Sequence, residues 1–461
     1  MRCPYAHVHF VGLGGIHVSA LAKLVLSLGI SVSGSDLAEN ELTEELRAKG
    51  VDVRIGHAAE HIPAKAEVVV FSSAAQKTNP ERIEGERRHL PSFDSHQFLG
   101  LLGESMKQVV IAGTHGKSTT TAMMGLLFKQ LGLKPTVVVG TRVPQLAEGN
   151  LEIGSSDWLI AEGDEFDHHF LAYRPTVLVI NNIEADHFDI YPTLEDMRDA
   201  YRKLLRQVRS KGIIVVNGDD AQVELVLKDE QQYLDEQAIQ VMRVGEGDES
   251  DIQILSRRVE AEIQTVHLEL SGPRRGVKLM LGVPGEMNAR NAAMCYAVSH
   301  ALTLSSQEAA NALFSFRGIW RRLERIGEKN GVLVFSDYGH HPTAVTKTLK
   351  AVKEFCPNRR IVLCFQPHHR NRTKHLFQEF VTCFGLADVL ILVEIYDVKG
   401  RDQAEDETVS SKDLIAAMDR PVVYAATPAD ALGELRRLLV PGDVLLIMGA
   451  GDIYKIAYDL V

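Results

Sequence analysis

The order of apolar and polar positions divides the chain into three stretches, each alternating between strand-like and helix-like patterns. In the first, HVHFVGLGGIHVSALAKLVLSLG predicts a strand, a glycine turn and an amphipathic helix, and ISVSGSD and AEVVVFSS predict two more buried strands. Buried strands separated by helices are typical of a parallel sheet, in which ligands bind at the carboxyl ends of the strands. The residues expected at that edge are Gly12–Ser19, Ser35–Asp36 and Ser72–Ser73.

The second stretch contains strand-like DWLIAEGD, TVLVINNIEADH and GIIVVNGDD, with helices predicted near Thr193–Arg209 and Asn288–Leu302. Between them, Ser250–Leu281 alternates strictly and carries Gly and Pro, which predicts antiparallel hairpins. The third stretch repeats the α/β pattern, with helices predicted over Pro342–Phe355 and near Lys374–Phe384, and its acidic VKGRDQAEDETVSS predicts a surface loop. The predicted fold class is therefore α/β with three domains, at residues 1–103, 104–316 and 317–461.

Composition narrows the class of protein. The 461 residues are 45% hydrophobic and carry a net charge of −11, which argues against a nucleic-acid partner but leaves small anions open. The five cysteines form no C-x-x-C pair, so a reducing, cytoplasmic location is expected. No apolar run reaches the roughly 18–20 residues that cross a bilayer, so no membrane insertion is expected. Oligomeric state is left open.

The stretch VVIAGTHGKSTTTAMM joins a strand to a helix, predicted to begin near Thr119, through a glycine-rich turn. Gly113 and Gly116 allow several backbone N–H groups to face one anion, Lys117 can neutralise a terminal phosphate and the Ser118 hydroxyl can bind magnesium. Ile111 stands where the common phosphate-binding loop has its first glycine, which disfavours a GTPase. The alternative is an ordinary glycine-rich turn.

Two acidic motifs, AEGDEFD and NNIEADH, end strands of the same stretch. Glu162, Asp164, Glu165, Asp167, Glu184, Asp186 and His187 could hold magnesium beside a triphosphate, although either motif alone could be a solvated loop. The N-terminal GLGG resembles a dinucleotide fingerprint, but His17 occupies its third glycine position, so it favours a diphosphate over NAD. The pairs His168–His169, His340–His341 and His368–His369 lack zinc-site spacing and are interpreted as polar strand ends.

Taken together the motifs resemble the Mur ligase family. The match runs along the whole chain, through VGLGGIHVSALA with VSGSD, GTHGKSTTT, AEGDEFD, NIEADHFDIY, PGEMNARNAA, FRGIWRRLE, SDYGHHPTAV, FQPHHRNRTKHLF and MGAGDIYKI in order. The resemblance implies a Rossmann-like domain for a UDP-sugar, a central ATP-binding domain and a Rossmann-like C-terminal domain. It implies an ADP-forming ligase of peptidoglycan precursor synthesis, which activates the lactyl carboxylate of UDP-N-acetylmuramate as an acyl phosphate and joins it to a free amino acid, with L-alanine expected.

The resemblance also assigns residues to roles. Lys117, Glu162, His187 and Arg322 would be catalytic, and Ser118, Glu162 and His187 would bind two Mg²⁺ ions. ATP would contact Gly113, Thr114, His115, Gly116, Lys117, Ser118, Thr119, Asn288, Asn291, Arg322 and Asp337. UDP would contact Gly14, Gly15, Ile16, His17, Ser35, Asp36, Ser72 and Ser73, and the amino acid would contact His340 or His341, His368 and Arg372.

Some positions depart from the family pattern. Met287 replaces the histidine before the first asparagine of the adenine motif, and His369 replaces an arginine, which leaves L-alanine, glycine and L-serine open. Arg202 stands where sister ligases carry a carbamoylated lysine, so that modification is not predicted. The alternatives are the ligase that attaches a whole tripeptide to the same UDP-sugar, a non-catalytic ATP-binding regulator and, as the weakest, a dehydrogenase.

Overall fold

The computed structural model of the protein describes residues 1–260, 263–271, 275–396 and 409–461. It contains three separate sheets in chain order, each covered by helices. The sheets fall within the three predicted domains, and we call these parts the N-terminal, central and C-terminal units. The boundaries at residues 103/104 and 316/317 stay a prediction.

The N-terminal unit is built on a parallel five-stranded sheet of order β3-β2-β1-β4-β5. Its strands are β1 (His7–Val11), β2 (Ser31–Asp36), β3 (Asp52–Ile55), β4 (Val68–Phe71) and β5 (Ser92–Asp94). Its helices are α1 (Ile16–Ser27), α2 (Glu41–Ala48), α3 (Pro80–Arg87) and α4 (Ser95–Leu102). The chain reverses strand order at β1, so the glycine turn after β1 lies at the position where such sheets bind ligands.

The central unit has a ten-stranded sheet of order β15-β14-β13-β12-β11-β10-β6-β9-β7-β8. Its strands are β6 (Lys107–Ala112), β7 (Thr136–Val138), β8 (Leu151–Glu152), β9 (Trp158–Glu162), β10 (Val177–Ile180), β11 (Ile213–Asn217), β12 (Gln240–Gly245), β13 (Ile252–Glu260), β14 (Ile263–Leu270) and β15 (Arg275–Leu281). Its helices are α5 (Lys117–Gln130), α6 (Leu194–Leu205), α7 (Ala221–Asp229), α8 (Gln231–Glu236), α9 (Glu286–Ala301) and α10 (Ser306–Phe314). Because β10, β6 and β9 are parallel neighbours, the loops after them meet at one edge.

The C-terminal unit has a six-stranded sheet of order β16-β17-β21-β18-β19-β20, parallel except for the edge strand β16. Its strands are β16 (Glu324–Lys329), β17 (Val332–Asp337), β18 (Ile361–Phe365), β19 (Val389–Val393), β20 (Val423–Ala425) and β21 (Val444–Met448). Its helices are α11 (Pro342–Phe355), α12 (Arg370–His375), α13 (Phe377–Thr382), α14 (Ser411–Ala417), α15 (Pro428–Leu438) and α16 (Lys455–Leu460).

Most predicted elements are confirmed, including the hairpins β13–β15 and the helix Pro342–Phe355. One boundary lies two residues from its predicted place, and one prediction was wrong. The phosphate-loop helix begins at Lys117, two residues before Thr119, and the single helix near Lys374–Phe384 is two short helices that break at Leu376. Most of the predicted acidic loop lies outside the described residues. Among the described residues, no helix has the length and apolar character needed to cross a membrane.

Candidate active site

The glycine-rich loop after β6 is held by the neighbouring strand β10. Gly113 and Gly116 have φ of +136° and +85°, and a Cβ at either would crowd Asn181. The Thr114 N–H donates to the Asn182 carbonyl (3.2 Å) and the His115 N–H to the Asn182 side chain (2.8 Å). Because α5 begins immediately after this loop, its free N–H groups face the same edge of the sheet, as an anion site requires.

Lys117 is tied to the loop and to one carboxylate. Its Nζ donates to the Gly113 carbonyl (2.8 Å) and lies 2.7 Å and 3.0 Å from the two carboxylate oxygens of Glu165. Burial alone would lower the pKa of Lys117, but the charges of Glu165 and Asp164 raise it, so the side chain is a cation at neutral pH. In this structure that charge is paired with Glu165 at the start of α5.

Ser118 and Glu162 form the pair expected of a magnesium site. The Ser118 hydroxyl donates to Glu162 Oε2 (3.0 Å), while the Gly140 N–H donates to Oε1 (2.6 Å). Burial raises the pKa of Glu162. A buried carboxylate that shares its environment with a hydroxyl is the kind of oxygen donor set that Mg²⁺ prefers.

His187 follows β10 with φ of +52° and directs Nε2 at Glu165 Oε1, 3.5 Å away. Burial would lower its pKa, but the carboxylates of Glu165 and Asp186 raise it. Glu165 thus lies between Lys117 and His187, and it is 1% exposed.

The adenine motif and the first residues of the C-terminal unit complete this region. Asn288 and Asn291 are buried on α9, and Asn291 Oδ1 lies so close to Gly116 that a Cβ there would clash with it. Arg322 lies over the Tyr338 ring (4.8 Å). Asp337, whose pKa is raised by burial, accepts the N–H groups of Leu323 and Gly339 (2.6 Å each), so it also shapes the turn after β17.

The residues predicted to contact the amino-acid substrate do not all line the cavity. His340 lines the cavity, whereas His341 is the N-cap of α11, where its Nδ1 accepts the Thr343 N–H (3.3 Å). His368 lies 5.9 Å from His340, ring to ring. Arg372 is buried and binds Asp186 of the central unit (2.8 Å), so its guanidinium is paired within the protein.

The predicted UDP residues surround the turn after β1. The Gly14 N–H donates to Asp36 (2.7 Å), the Ser35 carbonyl accepts the N–H groups of Gly12 and Leu13, and a Cβ on Gly12 would strike Ser72. Of this set, Ile16 and His17 line the main cavity.

A column of three imidazoles joins the N-terminal and central units. His17 stacks on His96 (4.1 Å between ring centroids) and His96 on His169 (4.2 Å), and His169 is hydrogen-bonded to Ser73 (3.2 Å). Asp94, His96 and His169 are close enough to suggest a metal site. However, ring nitrogens bind a metal in the plane of the ring, and parallel stacked rings do not direct these lone pairs to one point.

All three units contribute to one cavity of about 990 Å³. Its lining includes these predicted residues from the three units: Ile16, His17, Thr114, His115, Gly116, Lys117, Ser118, Thr119, Glu162, His187, Asn288, Asn291, Arg322, Asp337 and His340. The phosphate loop and Asp337 thus face the same space, as a nucleotide bridging two domains requires.

Comparison with known proteins agrees with this geometry. Three family models match in chain order: the Mur ligase family catalytic domain over residues 7–106, the Mur ligase middle domain over 111–299 and the Mur ligase glutamate ligase domain over 321–451. The UDP-N-acetylmuramate–L-alanine ligase of Trichlorobacter lovleyi is 36% identical over 98% of both chains. That of Salinibacter ruber is 37% identical over 97% of this chain and 93% of its own.

The chain belongs to the Mur ligase family. The UDP-N-acetylmuramate–alanine ligase MurC of Thermotoga maritima has the same architecture, with a TM-score of 0.82 and 27% identity over 98% of both chains. The family and the three-domain α/β fold predicted from sequence are confirmed.

The sequence named Glu165 and Asp186 of this Mur ligase among the possible magnesium ligands but gave neither a role of its own. Glu165 was one of four carboxylates in AEGDEFD, and Asp186 one of two in NNIEADH, and nothing in either motif distinguishes the member that turns inward. In the structure Glu165 binds Lys117, and Asp186 binds Arg372, a residue 186 positions away.

Proposed function

We propose that this Mur ligase uses ATP to join L-alanine to the lactyl carboxylate of UDP-N-acetylmuramate, forming ADP and orthophosphate in peptidoglycan precursor synthesis. The observation that carries the proposal is the single cavity lined by the phosphate loop of the central unit, His17 of the N-terminal unit and His340 of the C-terminal unit. Three substrates that must react together need such a shared space. The full-length similarity to UDP-N-acetylmuramate–L-alanine ligases supports the choice of reaction.

The residues suit ATP with Mg²⁺. Lys117 would contact the β- and γ-phosphates, Asn288 and Asn291 the adenine side, and Ser118, Glu162 and His187 the metal. Mg²⁺ bound there would offset the charge of the phosphates. The hydroxyl and carboxylate oxygens of Ser118 and Glu162 lie 3.0 Å apart, a donor set that Mg²⁺ prefers.

The proposed reaction needs positively charged side chains beside the phosphates. A carboxylate is a weak electrophile, so its oxygen takes the γ-phosphoryl group of ATP and becomes an acyl phosphate with a good leaving group. Two anions must approach each other in this step, and preorganised positive charge lowers the barrier. Lys117 and Arg322 supply that charge, and Arg322 acts on the pKa of both Glu162 and Asp337.

In the second step the amine attacks the acyl carbon, and orthophosphate leaves. The attacking amine must lose a proton. Burial and the nearby Arg372 charge lower the pKa of His340 well below its ordinary value, so its imidazole is neutral at pH 7 and would contact the amine without repelling its ammonium form. We assign the amino-acid side of the cavity to His340, with His341 holding the start of α11.

The substrates and the absence of a disulfide among the described cysteines support a cytoplasmic location. UDP-N-acetylmuramate and a free amino acid are the proposed partners, with no nucleic acid.

The test is orthophosphate release from ATP and UDP-N-acetylmuramate with L-alanine, glycine, L-serine or the tripeptide. We expect release with L-alanine. Release with the tripeptide alone would identify the tripeptide ligase instead, and no release with any acceptor would favour a non-catalytic role. Lys117→Ala should abolish release while UDP-sugar binding persists, and the exposed Lys129→Ala on the same helix serves as the control.

A further inference from the structure

The Glu165 carboxylate touches two of the groups that the proposed ATP site needs. It lies 2.7 Å from the Nζ of Lys117 and 3.5 Å from the Nε2 of His187. Its backbone carbonyl also accepts the Tyr191 hydroxyl (2.5 Å), which fixes the segment that carries it. At 1% exposure, this carboxylate faces the site and not the solvent.

In this state Lys117 has no spare hydrogen for a phosphate. Its ammonium group carries three N–H donors, and they face the Gly113 carbonyl (2.8 Å), the Thr114 carbonyl (3.4 Å) and the Glu165 carboxylate. A phosphate oxygen reaches Lys117 only if one contact is released. Glu165 is the partner most strongly repelled by an arriving phosphate because both are anions.

One pair of side chains in the site has the spacing of neighbouring ligands on one magnesium ion, and a second pair comes close to it. Ligands at 2.0–2.1 Å on adjacent corners of an octahedron lie about 3 Å apart. Ser118 Oγ and Glu162 Oε2 are 3.0 Å apart, and His187 Nε2 and Glu165 Oε1 are 3.5 Å apart. The first pair fits one ion directly, and the second fits one after a small side-chain shift.

A second ion beside His187 would need an acidic ligand, because Mg²⁺ prefers oxygen donors. Glu165 Oε1 lies 3.5 Å from His187 Nε2 and can supply one.

We propose, on the basis of the proposed function, that Glu165 has two successive partners: it holds Lys117 when the site is empty and binds the second metal ion with His187 when the nucleotide enters. Lys117 then turns to the phosphates. The exchange keeps the buried charge of both side chains paired in each state, which avoids the cost of an isolated buried charge.

The test counts manganese ions by electron paramagnetic resonance, with Mn²⁺ in place of Mg²⁺ and a non-hydrolysable ATP analogue. The wild-type protein should bind two ions and Glu165→Gln one. Asp157→Asn, an exposed carboxylate before β9 and outside the candidate site, is the matched control and should bind two. Without metal, in EDTA, Glu165→Gln should bind the analogue about tenfold more tightly than the wild type, because no anion competes for Lys117.

The outcomes separate the two proposals. Two ions in Glu165→Gln, or one in the wild type, overturns the role of Glu165 without affecting the ligase assignment, which rests on orthophosphate release. Failure of the wild type to bind the analogue at all counts against the proposed function. If thermal unfolding shows that Glu165→Gln does not fold, Glu165→Asp keeps the charge beside Lys117 but withdraws the carboxylate by one methylene. It should bind the second Mn²⁺ at least about tenfold more weakly, and unchanged binding overturns the proposal.

Discussion

The central unit meets its two neighbours through surfaces of different chemistry. Toward the N-terminal unit, one apolar cluster continues across the boundary, from Phe98 and Leu99 to Phe170 and Tyr173. Toward the C-terminal unit, Phe188 and Met287 pack against the apolar core of its described residues, and Ile319 packs against the central core. Charged and polar pairs lie beside these contacts.

The charged contacts on the C-terminal side cluster at two places. Asp186 binds Arg372, Glu184 accepts the Thr343 hydroxyl (2.9 Å), and Lys347 lies 3.8 Å from Glu184. Farther out, Arg257 pairs with Glu354 and Lys350 with Glu286. Charges can return to water at low cost, whereas an apolar surface cannot. We infer that the N-terminal and central units move as one body and that the C-terminal unit opens and closes.

The largest expected effect comes from the buried pair on the C-terminal side. Arg372→Ala leaves Asp186 buried without its partner, and we expect a loss of about 3–5 kcal/mol in the free energy that docks the C-terminal unit. Small-angle scattering should show a larger radius of gyration, and urea unfolding an earlier first transition. Arg437→Ala, which removes an exposed pair on α15, should change neither. An unchanged radius in Arg372→Ala would contradict the comparison.

The second-largest expected effect comes from the apolar contact between the N-terminal and central units. A Cβ on Gly100 would overlap the Ala172 carbonyl, so Gly100→Ala must push α4 away from the central unit. We expect unfolding to become easier by about 1–3 kcal/mol and the N-terminal and central units to unfold together. Gly433→Ala on α15, where a Cβ meets no atom, should be neutral or stabilising. Separate unfolding of the two units would show that they are not one body.

The third prediction concerns how the stacked histidines His17, His96 and His169 affect the pH dependence of stability. Burial lowers the pKa of His96 well below its ordinary value and that of His17 to about 4, in surroundings that include His169, Asp94 and Asp164. Below about pH 6.5 histidines gain protons in the unfolded chain, whereas these two stay neutral in the folded protein. Their contribution to the free energy of unfolding is therefore fully present above that pH and is lost as the pH falls toward 4.

Each such histidine contributes roughly 1.4 kcal/mol per pH unit in this window. His96→Phe preserves the stacked ring but cannot titrate, so its stability should depend less steeply on pH between 6.5 and 4. Urea unfolding at a series of pH values measures both slopes. Equal slopes would mean that the column does not limit acid stability.

The smallest expected effect is that of ionic strength on the docking of the C-terminal unit. The pairs Arg257–Glu354 and Lys350–Glu286 lie partly in solvent, and such pairs contribute about 0–1 kcal/mol each. Raising the ionic strength to about 1 M should modestly increase the radius of gyration, and Lys350→Gln should reduce that response. Lys129→Gln, which removes an exposed pair inside the central unit, should leave that response unchanged.

The sequence predicted what depends on local pattern and missed what depends on distant partners. Lys117 and Ser118 were candidates because loop, lysine and hydroxyl are consecutive, whereas Glu162 was singled out among the carboxylates of AEGDEFD by the family resemblance. The inward turn of Glu165 depends on left-handed backbone at Asp167 and His168, φ of 49° and 58°, which neither residue type requires.

Pairs of residues that lie far apart in the sequence could not be predicted from the local pattern either. Arg372 was predicted to meet the substrate carboxylate, and its pairing with Asp186 depends on how two units meet. By contrast, the N-cap role of His341 had a local signal, since proline follows it at the first position of α11.

The polar character of the C-terminal interface has a consequence for how efficiently ATP is used. An acyl phosphate is hydrolysed by any water that reaches it before the amine does, and the surface that must part to admit substrates is also the surface that excludes water. On the proposed mechanism, the yield of amide bonds per ATP consumed would therefore depend on how long the Asp186–Arg372 contact stays closed after phosphoryl transfer. A chain with a looser contact would still consume ATP, but it would waste more of it.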